Sequence, residues 1–415
     1  MPARISYTEW EYATSYPSQR KVVRLPDGTL YAAYYKLVEY LTISNYKIYV
    51  KKSNDNGLTW ATEETKISTA PGMENYHQLY PSIAVDSNNN LHVVWHGRAT
   101  GYTTYYQIWY AKFDGNSWST PVRISTYSGM EGYHQSNPSI AVGLDNNLHV
   151  VWYGCATGYT TYYQIWYAKF DGNSWSTPVR ISTYNGMATN SQYYPAIVVD
   201  SSNYLHVVWN GMATGYTTVD QIWYNKYTTS WAGPVRISDY SGMENSSNYR
   251  PSIVVDSNDY LHVVWAGQAT GYTVDQIWYN KYTTSWAGPV RISDYSGMES
   301  YHQFRPSMTV DSFNNLHVIW YGMATGYTDY TKIWYAKYIT SWITPECLQA
   351  TGQNRHPVAR WSRYPSCNIP YAGVDYVFTE GTATPWEVYS DKKGDPFPPA
   401  PIPNPLVCKV LVRKH

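Results

Sequence analysis

Apolar and polar positions recur along this chain in a long repeat. The phrase Leu-His-Val-Val-Trp begins at residues 91, 148, 205 and 261, and Leu-His-Val-Ile-Trp begins at residue 316, at steps of 57, 57, 56 and 55 residues. Each copy is followed by Ala-Thr-Gly-Tyr-Thr and then by Ile-Trp-Tyr, and four copies end on Pro-Val-Arg-Ile-Ser. Self-similarity at a fixed period is typical of repeat architectures.

Looser matches add one unit at each end of this series, which makes seven. They occupy Leu30 to Tyr34 with Lys47 to Lys52, and Val374 to Phe378 with Glu387 to Lys392. Each unit holds four short runs rich in Val, Ile, Trp, Tyr and Thr, separated by Gly, Asn, Asp and Ser, which is the pattern of strands and turns. Four strands per unit predict a blade of a β-propeller.

The two ends of the chain complete the predicted ring. The seventh unit has no fourth run of its own, and Pro2 to Ser6 supplies one, so we expect the N-terminal strand to close the ring; Val407 to Val412 is a rival for this place. The sequence thus predicts an all-β fold, a seven-bladed β-propeller of four-stranded antiparallel blades, over residues 1–392. A Pro-rich C-terminal extension, with a further strand in it, covers residues 393–415.

Charge and composition exclude several classes of partner. Thirty basic residues balance thirty acidic ones without a Lys/Arg cluster, so a nucleic-acid partner and an anionic membrane surface are not expected. No apolar run approaches the roughly 18 residues of a membrane span, which argues against membrane insertion. The first residues lack the apolar stretch of a signal peptide. Tyrosine is unusually frequent, with 46 copies.

Two sets of residues are predicted to meet at one face of the ring. The residue before the proline of each first strand should stand at the channel mouth, and this position varies from blade to blade: Tyr16, Tyr80, Asn137, Tyr194, Arg250, Arg305 and His356. The loops that lead into the first strands carry Gly-Met-Glu, and three of them continue into a Tyr-His-Gln triplet: Tyr76, His77 and Gln78; Tyr133, His134 and Gln135; Tyr301, His302 and Gln303. Aromatic rings beside amide and imidazole groups suit a sugar, so both sets are predicted to bind carbohydrate.

Residues Ser53 to Trp60 resemble the Asp-box, S-x-D-x-G-x-T-W, of sialidase-like propellers at every defined position, and degenerate copies follow at Phe113 to Trp118 and Phe170 to Trp175. The design is also similar to multivalent propeller lectins. The sialidase resemblance implies arginines near the axis that grip a carboxylate, and Arg250 and Arg305, each before a proline, echo that motif. It also implies a tyrosine nucleophile with a paired glutamate, but the glutamates of the Gly-Met-Glu loops are copies of one position. Four acids are not repeated: Asp220, Asp275, Asp329 and Glu380.

No cofactor or metal site is expected. The histidines of the Leu-His runs have no metal-ligand spacing within a unit and are predicted to pack inside the structure. Cys155 occupies a variable position and is predicted to be a free thiol, whereas one pair among Cys347, Cys367 and Cys408 could form a disulfide.

Repetition of equivalent loops favours many weak sites over one catalytic centre. We therefore predict a non-catalytic, multivalent module for glycan recognition or adhesion, whose partner is a carbohydrate or glycoconjugate, extracellular or virion-associated. One alternative is an exo-glycosidase of the sialidase class, and another is a structural or assembly protein of a particle. The Pro-rich tail is expected to be where a protein partner would bind.

Overall fold

The computed structural model describes the backbone of residues 3–8, 21–40, 43–55, 57, 59–348, 354–360, 373–380, 386–394 and 409–410, and the side chains of 21–38, 45–55, 57, 59–328 and 332–348. The regular elements in these residues are short β-strands and single 3-10 turns. In this part of the chain no helix is long and apolar enough to cross a membrane.

Six consecutive antiparallel sheets have four strands each, and we number these blades one to six along the chain. Their strands, from the first to the fourth of each blade, are Val22–Arg24, Leu30–Tyr40, Ile43–Ser53 and Thr65–Lys66; Gln78–Val85, Leu91–Ala99, Tyr102–Phe113 and Val122–Arg123; Gln135–Val142, Leu148–Ala156, Tyr159–Phe170 and Val179–Arg180; Gln192–Val199, Leu205–Ala213, Tyr216–Tyr227 and Val235–Arg236; Asn248–Val255, Leu261–Ala269, Tyr272–Tyr282 and Val290–Arg291; Gln303–Val310, Leu316–Ala324, Tyr327–Tyr338 and Glu346–Cys347. The first strands of successive blades lie side by side, so they form the inner ring of the propeller. The prediction of an all-β propeller built from four-stranded antiparallel blades is confirmed.

The remaining strands form a sheet of a different kind. It has five strands in the order Ala3–Thr8, Trp386–Gly394, Lys409–Val410, Gly373–Glu380 and Asn354–Arg360, and Trp386–Gly394 also pairs with Gly373–Glu380. Ala3–Thr8 runs antiparallel to Trp386–Gly394, whereas Lys409–Val410 runs parallel to its neighbours. The prediction of seven four-stranded blades is therefore wrong: six sheets have that form, because the C-terminal segment adds a parallel strand to the last sheet.

This five-stranded sheet, the junction sheet, lies between blade six and blade one. Its strand Asn354–Arg360 packs beside Gln303–Val310, and its strand Gly373–Glu380 lies near Val22–Arg24. The N-terminal strand thus pairs with a strand almost 380 residues later in the chain. Both predicted rivals for that edge contact Trp386–Gly394: the N-terminal strand Ala3–Thr8, and Lys409–Val410, the described part of the second rival segment.

Buried tryptophans hold the two central strands of each blade together. In blade two, Trp95 faces Trp109 across the strand pair, and Trp95 is fully buried. The Nε1–H of Trp95 donates to Oε1 of Gln78 at 3.0 Å, and that of Trp109 donates to the carbonyl of Gly97 at 3.0 Å. Each core cluster joins residues of adjacent blades, for example Val94 with Leu148. Pairing the buried indole N–H groups removes the cost of leaving them unsatisfied.

The loop that enters each first strand and the turn between the second and third strands lie together on one face, which we call the loop face. In blade two, the backbone N–H of Thr100 donates to the carbonyl of Pro71 at 3.0 Å. Gly72 has φ of +84°, and a Cβ atom there would lie 2.3 Å from Oγ1 of Thr100. The same contact recurs in blades three to six, which explains the repeated Gly-Met pair.

The turns on the opposite face are tied down by side chains. In residues 53–60, Oδ1 of Asp55 accepts from the N–H of Thr59 at 2.9 Å, and Oγ of Ser53 accepts from the N–H of Gly57 at 2.6 Å. Trp60 packs into the core behind this turn. These contacts stabilise the turn.

The repeated histidines are buried on the same side of each blade. His92 lies with Nδ1 at 2.9 Å from the hydroxyl of Tyr110 and Nε2 at 3.2 Å from Oδ2 of Asp86. The arrangement recurs at His206, His262 and His317. In blade three the aspartate position is Gly143, and Nε2 of His149 has no hydrogen-bond partner in the described structure.

Candidate active site

The residues predicted at the channel mouth share an uncommon backbone conformation. Each lies at a β-bulge, where the pairing of the first and second strands shifts register. Their φ values are positive: 53° at Tyr80, 52° at Asn137, 54° at Tyr194, 56° at Arg250 and 49° at Arg305. An L-residue before proline avoids this region, so the bulge re-aims these side chains at a cost in backbone energy. Tyr16 and the side chain of His356 lie outside the described residues.

The channel positions contact the preceding blade. The backbone N–H of Asn137 donates to Nδ1 of His96 at 3.1 Å, and that of Arg250 donates to Oδ1 of Asn210 at 3.1 Å. His96 and Asn210 each directly follow the Trp of a Leu-His-Val-Val-Trp run. Burial, with smaller effects of His134 and Lys21, lowers the pKa of His96 to about 3, so this imidazole acts as a neutral acceptor.

The glutamines of the Tyr-His-Gln loops do not face a ligand. Gln78, Gln135 and Gln303 are 0% exposed. The Oε1 atom of each accepts from a buried tryptophan, and Nε2 donates to the backbone carbonyl of Arg98, Cys155 or Met323. The prediction that these three residues bind a glycan is corrected by this burial, which gives them a structural role. The adjoining Tyr76, Tyr133 and Tyr301 are half-buried on the loop face.

The histidines of the same triplets have two different environments. Nδ1 of His77 accepts from the N–H of Tyr46, and Nδ1 of His134 accepts from the N–H of Tyr106. Burial and the nearby Arg98 lower the pKa of both imidazoles. Nδ1 of His302 likewise accepts from the N–H of Asp275, at 3.1 Å, but it also lies 2.9 Å from Oδ2 of that residue, so this histidine alone of the three is beside a carboxylate.

Asp275 is the centre of a polar cluster between blades five and six. Asp275 is 6% exposed. The hydroxyl of Tyr249 donates to Oδ2 of Asp275 at 2.5 Å, and Nε2 of Gln268 donates to Oδ1 at 3.2 Å. Burial and the Asp275 carboxylate raise the pKa of Tyr249, so the phenol is protonated at neutral pH when no substrate is bound.

A second carboxylate, Asp220, lies on blade four and is linked to Arg250 through Asn210. Nδ2 of Asn210 donates to Oδ2 of Asp220 at 2.9 Å, while Oδ1 of Asn210 accepts from the backbone N–H of Arg250. Burial raises the pKa of Asp220 to about 6, although the Asn210 amide opposes this effect. The guanidinium of Arg250 lies 5.4 Å from the ring centre of Tyr194 and 5.8 Å from that of Tyr249. We call Asp220, Arg250, Tyr249, Asp275 and His302 the acidic cluster.

Both carboxylates occupy one position of the repeat, directly before the Gln of the Gln-Ile-Trp run. The same position holds Tyr106 in blade two and Tyr163 in blade three. A comparison of the residues at this position in all the repeats could have singled out Asp220 and Asp275, which the sequence marked only as unrepeated acids. Arg305 is buried at its channel position, and the side chains of Asp329 and Glu380 lie outside the described residues.

The cluster combines what acid–base chemistry needs. It holds a hydroxyl paired to a carboxylate, a second carboxyl group that titrates near neutral pH, and a guanidinium 5.8 Å from the ring centre of Tyr249. Nowhere in the described part of the chain do three His, Cys, Asp or Glu side chains gather so that they could hold a metal ion. Cys155 is a buried free thiol, and Cys367 and Cys408 lie outside the described residues.

Comparison with known proteins identifies the fold. No protein-family model and no curated protein matches the sequence. Among solved structures, an ulvan lyase, a polysaccharide lyase, superposes with a TM-score of 0.63 over 95% of this chain and 96% of its own at 10% identity. An ulvan lyase bound to -[GlcA(1-4)Rha3S]- gives 0.59 over 94% and 96%, also at 10% identity. The α-L-arabinanase of Penicillium chrysogenum complexed with arabinobiose gives 0.50 over 77% and 94% at 16% identity. The chain therefore has the β-propeller fold found in these carbohydrate-cleaving enzymes.

Proposed function

We propose that this protein is a glycoside hydrolase that cleaves a glycan carrying an anionic group. The observation that carries the proposal is the 2.5 Å hydrogen bond from the Tyr249 hydroxyl to Asp275, with Arg250 alongside. This corresponds to the exo-glycosidase alternative that the sequence left open. The repeated loops have different neighbouring residues, which supports one catalytic centre rather than many equivalent binding sites.

The cluster supplies each proton transfer that hydrolysis requires. Tyr249 attacks the anomeric carbon as its proton passes to Asp275, and Asp220 donates its proton to the leaving oxygen. Water then attacks the tyrosyl glycoside, giving a proton to Asp220, while the Tyr249 oxygen recovers its proton from Asp275. A pKa of about 6 lets Asp220 act as an acid near neutral pH.

Arg250 gives the proposed site its preference for an anion. Its planar guanidinium suits a carboxylate or sulfate group, which it can bind through two parallel hydrogen bonds. The -[GlcA(1-4)Rha3S]- chain seen with one ulvan lyase carries such groups. A uronate-containing or sulfated polysaccharide is therefore the first substrate class to test.

Several finer expectations belong to this proposal. The Asp-box relationship of Ser53 to Trp60 is supported by the hydrogen bonds of Asp55. Closure of the ring by the N-terminal strand is supported by its pairing with Trp386–Gly394. An extracellular or virion-associated location, a propeller over residues 1–392 and a partner for the tail remain predictions.

The test uses Tyr249→Phe with a matched control, Tyr193→Phe. Tyr193 holds the same position in blade four, where its ring packs against Tyr153 and Tyr163. We expect Tyr249→Phe to lower kcat on an acidic oligosaccharide by about 10²- to 10⁴-fold and Tyr193→Phe to leave it nearly unchanged. The measurement is release of reducing ends from uronate and sulfated oligosaccharides.

Two outcomes would contradict the proposal. Absence of cleavage across acidic and neutral glycans, with binding retained, would favour the multivalent binding module. Products with an unsaturated sugar at the new end would show cleavage by elimination instead of hydrolysis.

Arg250→Ala, with Arg123→Ala as a control at an arginine of blade two, tests whether the preference for anionic substrates depends on the acidic cluster.

A further inference from the structure

Arg98 is a cation on the loop face that the other blades do not repeat, and it lies outside the acidic cluster. It lies at the end of the second strand of blade two, and its sister residues are Cys155, Met212, Gln268 and Met323. The fold is the same in all five blades, so an arginine is not needed there for packing. Its presence in one blade requires another explanation.

The guanidinium of Arg98 lies between two aromatic rings, and it does not use all of its hydrogen-bond donors. Its centre is 4.9 Å from the ring centre of Tyr106 and 5.5 Å from that of Tyr76. Nη1 makes one long contact, 3.4 Å, with the carbonyl of Thr103. Nε is buried and has no hydrogen-bond partner in the described part of the structure. An arginine has five N–H donors, so most of them remain available here.

Further rings continue this aromatic cluster into blade three. The ring of Tyr105 packs edge-on against His134 at 5.2 Å and lies 6.4 Å from Tyr133. His134 also lies 5.3 Å from Tyr106. All these side chains are half-buried, so the cluster presents flat apolar faces with polar edges toward solvent.

The charge of this cluster is uncompensated. Burial and Arg98 lower the pKa of His77 and His134, which leaves both imidazoles neutral at pH 7. No described carboxylate lies at ion-pair distance from Arg98, and Glu74 and Glu131 of the adjoining loops are exposed. An anion bound here would meet one positive charge and neutral N–H donors.

We propose that Arg98, Tyr76, Tyr105, Tyr106 and His134 form an anionic-sugar subsite, separate from the acidic cluster. The guanidinium binds a carboxylate or sulfate, and the tyrosine faces pack against the C–H side of the sugar ring. The proposal extends the proposed function, because the subsite would hold another anionic unit of the same polysaccharide. It lies in blades two and three, whereas the acidic cluster lies in blades four to six, so a short ligand at one does not occupy the other.

The test measures binding rather than turnover. Titration calorimetry would compare Arg98→Ala with Met212→Ala, the matched control at the sister position, each in a Tyr249→Phe background that prevents cleavage. The probes are uronate oligosaccharides of two, four and six units, sulfated oligosaccharides of the same lengths, and neutral oligosaccharides.

We expect Arg98→Ala to weaken binding of the longer anionic probes by about 10-fold or more, as for loss of a charged hydrogen bond, and to leave binding of the neutral probes unchanged. Arg98→Lys, which keeps the charge but loses the planar stacking, should lie between.

The outcomes separate the two proposals. The subsite is overturned if Arg98→Ala binds every anionic probe as the parent does, or if neutral probes and Met212→Ala show the same loss. Failure of the unmodified protein to cleave these glycans would overturn the proposed function but leave the binding result intact. Loss confined to the uronate series or to the sulfated series identifies the anion that Arg98 binds.

Discussion

Five residues directly before a proline hold left-handed backbone conformations at the channel mouth. Each costs about 1 kcal/mol or more in an L-residue, and such strain persists only where the surroundings fix it. Here a backbone N–H at the bulge is bound by a side chain of the preceding blade, as Asn210 binds Arg250. The backbone is the same whether the residue is Tyr, Asn or Arg. The bulge therefore allows the side chain at the axis to vary without changing the fold.

Asp220 is predicted to destabilise the folded protein at neutral pH. Its folded pKa of about 6 lies above the ordinary value of 3.8, so its favourable contribution is complete below about pH 4 and is lost as the pH rises through 6. We expect Asp220→Asn to raise the free energy of unfolding by roughly 1–2 kcal/mol at pH 8, allowing for partial exposure, and not at pH 4.

Urea unfolding of both proteins at the two pH values measures this difference, and the activity of Asp220→Asn should fall at the same time. Asp239→Asn, at an exposed position, serves as the control and should change neither quantity. An equal effect of Asp220→Asn at pH 4 and pH 8 would show that the carboxyl group is not shifted in the folded state.

The sequence could not rank these residues because their chemistry depends on side-chain contacts between strands. It predicted Arg250 at the channel mouth, but it identified Asp220 and Asp275 only as acids that are not repeated. Their significance comes from Asn210 and Tyr249, which lie on other strands of the same blades and are hydrogen-bonded to them. The converse error concerned Gln78, which looked like a ligand-binding side chain and is fully buried.

In blades two, four, five and six, a buried histidine bonds to the aspartate of the turn between the first and second strands. In blade two, Asp86 bonds to His92 and to Asn90. Burial raises the pKa of Asp86, but these hydrogen bonds outweigh it and hold the pKa at about 2. Successive turns are also linked, since Asn146 accepts from the N–H of Ser87 in the preceding blade. The periodic sequence predicted these strands well because every blade repeats the same local pattern.

Blade three provides a natural comparison, since it has Gly143 in place of the aspartate. His92→Leu would remove two hydrogen bonds, to Tyr110 and to Asp86, whereas His149→Leu removes only the bond to Tyr167. We expect His92→Leu to cost about 1–2 kcal/mol more than His149→Leu in free energy of unfolding.

The measurement is urea unfolding at pH 7, where all these aspartates are ionised. His206→Leu in blade four, which also has its aspartate, should behave as His92→Leu does. Equal losses for His92→Leu and His149→Leu would mean that the aspartate contributes little to the stability of the turn.

At the scale of the whole molecule, repetition made the architecture predictable up to the last sheet. Six blades follow one sequence template, but the seventh unit departs from it, and its strands receive partners from both ends of the chain. A repeat pattern describes what neighbouring units share. It contains no information about a strand such as Lys409–Val410, which has no counterpart in the six described four-stranded blades.

The pairing of Ala3–Thr8 with Trp386–Gly394 leads to a prediction for the intact ring. Deleting residues 1–8 would leave an edge of the junction sheet unpaired, and unpaired edges promote association. We expect a melting temperature several degrees lower and a larger aggregated fraction in size-exclusion chromatography. Deleting residues 411–415, which form none of the described strands, is the control. An unchanged melting temperature after loss of residues 1–8 would show that this pairing adds nothing to stability.

The same pairing also fixes an order of events during folding. Blades one to six are each built from adjacent segments and can form while the chain is being synthesised. The junction sheet cannot be completed until residue 410 has been made, and its N-terminal strand must wait for a partner that ends at residue 394. Contacts between residues so far apart in sequence form late, since the chain between them must first be ordered. For most of its synthesis the protein is thus an open arc, and the strand made first is among the last to find its place.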